Sequence, residues 1–320
     1  MRWGVAGYGD LVTRRVLPAL RALGEEPVFL WGRDPLRAAR IAARWEIAGS
    51  GSDPRGLSAG TDAVYVATPV VHHVPLAAAA LDAGRAVLIE KPLAGCLRPG
   101  VDGLPTDMGR PGAGVAYYRR LAPVLREVRR ELAGWEPDRV EVRFRCAFEP
   151  GPDHPMRWRT DPAVSGGGVL ADAGCHRLDL LLAVFGRPAA VAARLAGHFD
   201  AGAERRAEVE LSWSGLRAWC LFEWSAEPPV DRIAFHGGGR SLVLDPLDSG
   251  QLLATGPEGE RRLRREPDAN PHLPLVADFV AAVAAGRPPV CPVAEAALVD
   301  DVIVAAYRSH ALGGSPVVAW

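Results

Sequence analysis

The sequence predicts an α/β protein of two domains, in which a parallel sheet is followed by an α+β domain with a mostly antiparallel sheet. Up to residue 92, short apolar runs alternate with helical patterns, as they do in repeated βαβ units. Beyond residue 139, segments that alternate polar and apolar residues predominate, which is typical of strands with one buried face. The length of 320 residues is enough for two domains that each bury a core.

The elements of the first domain follow from periodicity and from the residues that break it. Val12, Val16, Leu17 and Leu20 recur at helical spacing, and Gly24 ends that helix. The predicted strands are 1–6, 28–31, 63–67, 86–89 and 115–118, and the predicted helices are 11–23, 36–45 and 74–83. Six glycines and three prolines between residues 95 and 114 predict a loop rather than a helix there.

The second domain is predicted to start at residue 119, without a low-complexity linker before it. Its predicted strands are 140–148, 191–195, 207–212, 218–224, 232–236 and 242–244. Its predicted helices are 119–132, 169–185, 273–285 and 293–312. We therefore divide the chain into domains 1–118 and 119–320.

The composition argues against several classes of function. An apolar content of 48% and a charged content of 23% are those of a globular chain. A net charge of −1 gives no electrostatic basis for binding nucleic acid or an anionic membrane. No apolar run is long enough for a signal sequence or a membrane span, so we expect a cytoplasmic protein. The five cysteines lack paired spacing, which predicts reduced thiols and no metal site.

A glycine-rich turn between the first strand and the first helix predicts a dinucleotide site. Two glycines allow a tight turn whose backbone amides approach a pyrophosphate at the helix N-terminus. The residues predicted to contact the cofactor in this turn are Gly7, Tyr8, Gly9, Asp10 and Leu11. Val12 holds the third position of the pattern, where glycine or alanine is commoner. A purely structural turn is the alternative.

The end of the second strand decides between NAD and NADP. An acidic residue there holds the ribose hydroxyls of NAD, whereas an arginine accommodates the 2′-phosphate of NADP. Arg33 follows this strand after Gly32, which favours NADP as the cofactor. Asp34 either serves NAD or caps the next helix ahead of Pro35.

Lys91 is the only lysine among the 37 basic residues. It lies between Glu90 and Pro92 at the end of a predicted parallel strand, where open α/β sheets bind their ligands. A lysine there can donate a hydrogen bond to a hydroxyl and polarise it, and arginine does not replace a compact, titratable amine. A solvated surface lysine, kept by chance in an arginine-rich chain, is the alternative.

The predicted helix 169–185 carries three polar side chains on one stripe. Asp172, His176 and Asp179 are related by offsets of four and seven residues, which place them on one face. Apolar residues occupy the opposite face, with Arg177 as an exception. The stripe either faces solvent, as in an ordinary amphipathic helix, or forms part of a site.

Three motifs together resemble the glucose–fructose oxidoreductase, inositol dehydrogenase and MocA family. They are Ala67-Thr68-Pro69 with His72, then Glu90-Lys91-Pro92, then the run from Gly166 to Asp179. The resemblance implies an N-terminal Rossmann dinucleotide-binding domain and a C-terminal domain with a large open sheet, which commonly builds homodimers or homotetramers. It implies sugars, amino sugars or cyclitols as small-molecule substrates. The segment 95–114 departs from the helix that the family usually has there.

The resemblance also assigns roles to individual residues. Lys91 would contact the reacting hydroxyl, while Asp172 and His176 fall on the substrate-binding and acid–base positions. The residues implied to contact the cofactor beyond the first turn are Thr68, Pro69, His72, Glu90 and Lys91. The residues that we predict for the substrate rim are Tyr118, Arg119, Arg157 and Trp158. Surface arginines and a core tryptophan explain this last group equally well.

Together these features predict an NAD(P)-dependent oxidoreductase that transfers a hydride between the nicotinamide and a secondary alcohol or ketone carbon of a sugar-like substrate. His176 would take the hydroxyl proton while Lys91 stabilises the alkoxide-like charge. Asp172 would orient the histidine or bind a neighbouring hydroxyl. Two alternatives stay open: a glycosidase that retains NAD, and a non-catalytic protein that senses a dinucleotide.

Overall fold

The computed structural model describes residues 1–100 and 112–318, which fall into two compact units. The first unit comprises Met1–Ala94, Pro99–Tyr118 and Asp268–Ala297, and the second comprises Gly95–Arg98, Arg119–Pro267 and Leu298–Trp320. Of the predicted loop at 95–114, Gly95–Gly100 forms a 3₁₀-helix and Ala113–Val115 forms a strand. Residues 101–111 of that loop lie outside the described residues.

The strands and helices are numbered along the chain. The strands are β1 (Arg2–Ala6), β2 (Glu26–Trp31), β3 (Gly49–Gly51), β4 (Ala63–Val66), β5 (Ala86–Ile89), β6 (Ala113–Val115), β7 (Arg139–Cys146), β8 (Ala190–His198), β9 (Glu204–Trp213), β10 (Leu216–Trp224), β11 (Val230–Gly237), β12 (Arg240–Leu244), β13 (Gln251–Gly256) and β14 (Gly259–Arg264). The helices are α1 (Leu17–Ala22), α2 (Pro35–Arg44), α3 (His73–Asp82), α4 (Pro123–Leu132), α5 (Pro162–Ser165), α6 (Cys175–Phe185), α7 (His272–Ala285) and α8 (Val293–Ala311). Two π-helical turns, Val12–Val16 and Leu170–Gly174, lead directly into α1 and α6. No helix in the described ranges has the length and apolar character needed to cross a membrane.

The first unit is built on a parallel sheet with the strand order β3-β2-β1-β4-β5-β6. Every neighbouring pair in it is parallel. This is the order of a doubly wound dinucleotide-binding sheet, whose winding direction reverses between β1 and β4. The predicted α/β class with a parallel first sheet is confirmed, and ligands of such sheets bind at the carboxyl ends of the strands beside the reversal.

The segment Asp268–Ala297 belongs to the first unit, so the observed division differs from the predicted boundary at residue 118. Helix α7 in this segment buries Leu275, Val276 and Phe279. The ring of Phe279 lies 5.7 Å, centroid to centroid, from the ring of Trp3 on β1. An apolar helical stripe predicts that a helix is buried, but it does not predict which sheet the helix covers. The periodicity of α7 therefore could not show that this helix packs in the first unit.

The second unit is built on an eight-stranded sheet with the order β14-β13-β12-β11-β7-β10-β9-β8. Its neighbours are antiparallel except for β7 and β10, which run parallel. The helical segment that ends in α6 approaches one face of this sheet, since a Cβ atom at Gly174 would lie 3.1 Å from the ring of Phe222 on β10. The predicted mostly antiparallel sheet is confirmed.

Several elements differ from the sequence prediction. Strands β3, β13 and β14 were not predicted. Nearly every residue of β14 is exposed, and an edge strand that is solvated on both faces has no polar–apolar alternation to detect. The predicted helix 119–132 begins only at Pro123, because Tyr118–Leu121 forms a 3₁₀-helix and the proline takes the first turn of α4.

Candidate active site

The turn after β1 brings the glycine pattern against the end of β4. The backbone N–H of Gly7 donates to the Trp31 carbonyl oxygen at 2.9 Å, and the φ angle of Gly7 is +109°. A Cβ atom at Gly7 would lie 2.3 Å from the carbonyl oxygen of Ala67, so no larger residue fits. A Cβ atom at Gly9 would meet no described atom within 4 Å. The backbone at Gly7 is thus enclosed by protein, whereas the backbone at Gly9 is open to a ligand.

Alanine at these two glycines is expected to separate folding from cofactor binding. Gly9→Ala should leave the melting temperature of the apoprotein within about 2 °C of the wild-type value, because its methyl group meets nothing. It should weaken NADP⁺ binding by about tenfold or more, because the methyl group occupies the space through which the pyrophosphate approaches. Gly7→Ala should also destabilise the fold, by about 1–3 kcal/mol for the positive φ alone. Differential scanning fluorimetry and titration calorimetry measure the two effects. Unchanged NADP⁺ affinity in Gly9→Ala would contradict a pyrophosphate site at this turn.

The end of β2 is organised around Asp34. Its Oδ1 accepts hydrogen bonds from the backbone N–H groups of Leu36 at 3.0 Å and Arg37 at 3.1 Å, so Asp34 is the N-cap of α2. The Tyr8 hydroxyl accepts from the Asp34 N–H at 3.2 Å. Of the two roles that the sequence left open for Asp34, the structure therefore shows the helix cap. Arg33 lies beside it and is exposed.

The end of β4 carries an unsatisfied polar atom and two neighbouring histidines. The Oγ1 of Thr68 is buried and has no hydrogen-bond partner among the described residues, which is uncommon for a buried hydroxyl. His72 is half-buried, and its burial, followed by the charge of Arg33, lowers its pKa. The ring nitrogens of buried His73 lie 2.9 Å from the carbonyl oxygens of Thr68 and Pro92. His73, which the sequence analysis did not single out, thus joins the segments that follow β4 and β5.

The end of β5 is held by the side chain of Glu90. Its Oε1 accepts from the Tyr65 hydroxyl at 2.8 Å and from Nε2 of His272 at 3.1 Å. Its Oε2 accepts from the backbone N–H of Lys91 at 3.3 Å. Burial acts to raise the pKa of Glu90, but His272, Lys91 and Tyr65 outweigh it and hold that pKa below its usual range. Glu90 is therefore a buried carboxylate directly before a half-buried Lys91.

In the second unit, two arginine–aspartate pairs fix the helix that carries the polar stripe. Asp179 has no exposed surface, and both of its oxygens accept from the Arg120 guanidinium, the shortest contact being 2.7 Å. Arg177 donates to both oxygens of Asp231 on β11, at 3.1 and 2.5 Å. His176 is only 7% exposed. The interpretation of this stripe as a solvated face is therefore wrong.

Asp172 lies one turn before His176 and is paired with an arginine from the 3₁₀-helix Arg157–Thr160. The Arg159 guanidinium donates to Oδ2 of Asp172 at 3.1 Å, and it lies 5.5 Å from the centroid of the Trp158 ring. The Nε atom of Arg159 is buried and has no hydrogen-bond partner among the described residues. Arg159, which the sequence analysis did not single out, thus places a positive charge beside Asp172.

The glycine run before this helix packs against a buried carboxylate. Oε2 of Glu204 accepts from the Gly168 N–H at 2.9 Å and from the Tyr307 hydroxyl, and Oε1 accepts from the Leu170 N–H at 3.0 Å. A Cβ atom at Gly168 would lie 2.2 Å from the Glu204 carbonyl oxygen. Burial, as the largest influence, raises the pKa of Glu204. The glycines therefore allow β9 to approach closely. Glu204 of β9 then holds the start of the helical segment through hydrogen bonds.

The four predicted rim residues have different surroundings. Arg119 donates to both oxygens of Asp248, at 2.9 and 2.5 Å, and is 9% exposed as a side chain, which gives it a structural partner. The Tyr118 ring lies 5.2 Å from the ring of His272. Arg157 is exposed and Trp158 is half-buried. Contact of these four residues with a substrate stays a prediction.

A doubly wound sheet with an open glycine turn at its reversal is the architecture of a dinucleotide-binding domain. Family models agree with this class. The model described as an oxidoreductase family with an NAD-binding Rossmann fold matches residues 1–99, and that of the GFO/IDH/MocA C-terminal domain matches residues 136–243. Together they cover more than half of the chain, which belongs to the GFO/IDH/MocA oxidoreductase family.

Named relatives are similar over different lengths. The 1,5-anhydro-D-fructose reductase of Ensifer adhaerens is 28% identical over 298 residues, which are 88% of this chain and 88% of that protein. The dTDP-3,4-didehydro-2,6-dideoxy-alpha-D-glucose 3-reductase of Streptomyces antibioticus is 33% identical over 201 residues, which are 58% of this chain and 57% of that protein. The match to this second relative therefore spans little more than half of its length.

A solved structure shares the fold along the whole chain. Levoglucosan dehydrogenase in complex with NADH superposes with a TM-score of 0.86 at 20% identity, and the match covers 100% of this chain and 99% of that one. At this level of identity the likeness establishes the fold alone.

Proposed function

We propose that the protein reduces a ketone carbon of a sugar, amino-sugar or cyclitol-like substrate with NADPH, and that it catalyses the reverse oxidation with NADP⁺. The observation that carries the proposal is the setting of Lys91. The only lysine of the chain stands at the carboxyl end of β5, after a carboxylate that two buried side chains hold in place. The two relatives described above, both named as sugar reductases, support the substrate class.

Each side chain of the proposed site has one task. When bound, the nicotinamide supplies or accepts the hydride. Lys91 donates a hydrogen bond to the ketone oxygen and stabilises the negative charge that develops there. His176 delivers a proton to that oxygen in reduction and removes it in oxidation. Asp172, held by Arg159, orients His176 or binds a neighbouring hydroxyl of the substrate.

The preference for NADP rests on the end of β2. The Oδ1 atom of Asp34 accepts two hydrogen bonds from the backbone of α2, which favours a role as helix cap over a role in binding ribose hydroxyls. Arg33 is exposed beside it, and its charge reaches the His72 ring after β4. A positive charge at this position suits the 2′-phosphate of NADP.

Replacing Arg33 with serine is expected to weaken NADPH binding by about 10- to 100-fold, which is what the loss of a charge-assisted hydrogen bond costs. Affinity for NADH should change little, because NADH has no 2′-phosphate. Titration calorimetry with both cofactors measures the two affinities. Arg40→Ser is the matched control, since it removes the same charge from an exposed position on α2. Equal losses in the two variants, or a loss for NADH in Arg33→Ser, would refute Arg33 as the phosphate reader.

The activity itself is tested with purified protein, NADPH and a panel of keto-sugars, both free and nucleotide-linked. Consumption of NADPH with at least one ketone, and of NADP⁺ with the corresponding alcohol, is expected. Release of a sugar from a glycoside without net change in cofactor would favour an NAD-retaining glycosidase instead. Tight dinucleotide binding without turnover of any sugar would favour a sensor.

A further inference from the structure

Glu90 lies at the centre of a buried polar cluster that the proposed chemistry does not use directly. The residue is 6% exposed at the end of β5, and its carboxylate receives donors from three separate parts of the chain. Tyr65 and His272 both donate to Oε1, while the backbone N–H of Lys91 donates to Oε2. Burying a carboxylate costs several kcal/mol unless such donors compensate it. The cluster therefore holds Glu90 in one orientation against Lys91.

Hydrogen bonds at the start of α7 hold His272 beside this cluster. It is the first residue of α7 and is 2% exposed. Its backbone N–H donates to Oδ1 of Asn270 at 3.1 Å, and Nδ2 of Asn270 donates to the Arg15 carbonyl oxygen at 2.8 Å. The Arg15 guanidinium in turn donates to the carbonyl oxygen of Ala269 at 2.8 Å. The only asparagine of the chain thus ties the start of α7 to the helical segment that follows the glycine turn.

The histidine ring has one polar contact among the described residues. Its Nε2 faces a carboxylate oxygen, which only accepts hydrogen bonds, so Nε2 carries a proton. Its Nδ1 is buried and has no hydrogen-bond partner among the described residues. A purely structural buried histidine usually satisfies both nitrogens. In the ring of His272, only Nε2 has a hydrogen-bond partner among the described residues, and that partner is Glu90.

We propose that His272 is a positioning residue that acts on Lys91 through Glu90. This rests on the proposed function, since it takes Lys91 as the group that touches the reacting oxygen. His272 and Tyr65 fix one carboxylate oxygen of Glu90, and the other oxygen fixes the backbone of Lys91. Without His272 the carboxylate keeps only the Tyr65 donor on Oε1, so its orientation is held less firmly and the Lys91 ammonium is shifted from the ketone oxygen. A misplacement of about 1 Å is enough to cost about 10²-fold in rate.

The charges around Glu90 also indicate that His272 acts on this carboxylate. The titratable groups that face it are Tyr65 of β4, His73 of α3, Lys91 and His272 of α7. The hydrogen bond and charge of His272 contribute most to lowering the pKa of Glu90 against the effect of burial. Removal of His272 takes away the largest contributions that lower the pKa of Glu90, so Glu90 takes up a proton at a higher pH than in the wild type.

The kinetic test compares three variants of the cluster with one control variant outside it. His272→Leu is expected to lower kcat by about 10- to 100-fold while the dissociation constant of NADPH changes less than about threefold, because the nucleotide turn is untouched. His272→Gln, whose side-chain amide still donates to Glu90, should recover most of that loss. Tyr65→Phe removes the second donor to the same oxygen without changing the shape of the core, and should show a smaller loss of the same kind. His198→Leu makes the matched histidine-to-leucine change at an exposed position of β8.

A spectroscopic test does not depend on activity. Because Lys91 is the only lysine, protein labelled with [ε-¹³C]lysine gives one lysine signal, which reports on its surroundings. In the wild type and in His198→Leu, no inflection from Glu90 is expected between about pH 5 and pH 8. In His272→Leu, the inflection from protonation of Glu90 should move to a higher pH than in the wild type, and in His272→Gln it should stay close to the wild-type position.

The two tests separate the inference from the function on which it rests. A wild-type protein that reduces no sugar ketone would refute the proposed function, and the lysine signal would still decide the role of His272. A His272→Leu variant with wild-type kcat and a wild-type lysine titration would overturn the inference. Equal losses in His272→Leu and His272→Gln would also overturn it, because a purely structural role does not distinguish a donor from its absence.

Discussion

Replacing His176 with alanine is expected to lower kcat for reduction of the sugar ketone by about 10²–10⁴-fold, the usual contribution of a positioned general acid. Binding of NADPH should be retained, because the glycine turn and Arg33 lie outside the helical segment that carries His176. Steady-state kinetics at saturating NADPH, with the dissociation constant measured separately, tests both statements. The reverse oxidation should slow by a similar factor, since the same proton is removed in that direction.

A histidine elsewhere supplies the control for this variant. His198 is exposed on β8, and His198→Ala should leave kcat and the affinity for NADPH unchanged. If His176→Ala kept nearly full turnover, the proton would have to come from another group, and the assignment of His176 would be abandoned.

Replacing Arg120 with alanine is expected to reduce the free energy of unfolding by about 3–5 kcal/mol, the cost of breaking a buried ion pair on one side. Asp179 has no exposed surface, and Arg120 contacts both of its oxygens. Urea unfolding followed by tryptophan fluorescence measures the loss. Arg55→Ala, which breaks an exposed pair with Asp53, should change the free energy of unfolding far less.

The double variant tests whether the buried pair itself is the cause. Arg120→Met combined with Asp179→Leu replaces both charges with apolar side chains of similar size, and such replacements are often neutral or stabilising. We therefore expect it to be more stable than Arg120→Ala alone. A double variant less stable than the single one would show that the helix depends on something other than this pair.

The fold was predictable wherever the burial of an element leaves a pattern in the sequence. Strands β1, β4 and β5 are buried along nearly their whole length and were predicted as short apolar runs, whereas the strands from β7 to β12 were predicted from alternation of polar and apolar residues. Strand β14 has almost no buried face, and β3 is only three residues long, so neither leaves a signal in the sequence. The attachment of α7 to the first unit was not predictable either. It depends on contacts between residues far apart in the sequence, such as the contact between the rings of Trp3 and Phe279.

The residues that carry the proposed chemistry were easier to predict than the residues that hold them. Lys91, Asp172 and His176 stand in motifs, and Lys91 is further marked as the only lysine. Their supports come from distant parts of the chain: Glu90 meets His272 from 182 positions away. Asn270 is the only asparagine of the chain, and its role follows only from its contacts with Arg15 and His272 in the structure.

During synthesis, the strands of the amino-terminal sheet leave the ribosome long before α7 does. Until Phe279 and His272 emerge, Trp3 lacks the aromatic ring that covers it, and the carboxylate of Glu90 lacks one of its donors. Nascent domains commonly fold one after another from the amino terminus, but here the nucleotide-binding unit waits for a residue that follows Glu90 by 182 positions in the chain. A fragment that stops at residue 118 would accordingly be an incomplete domain, prone to aggregate through the surface that α7 normally covers.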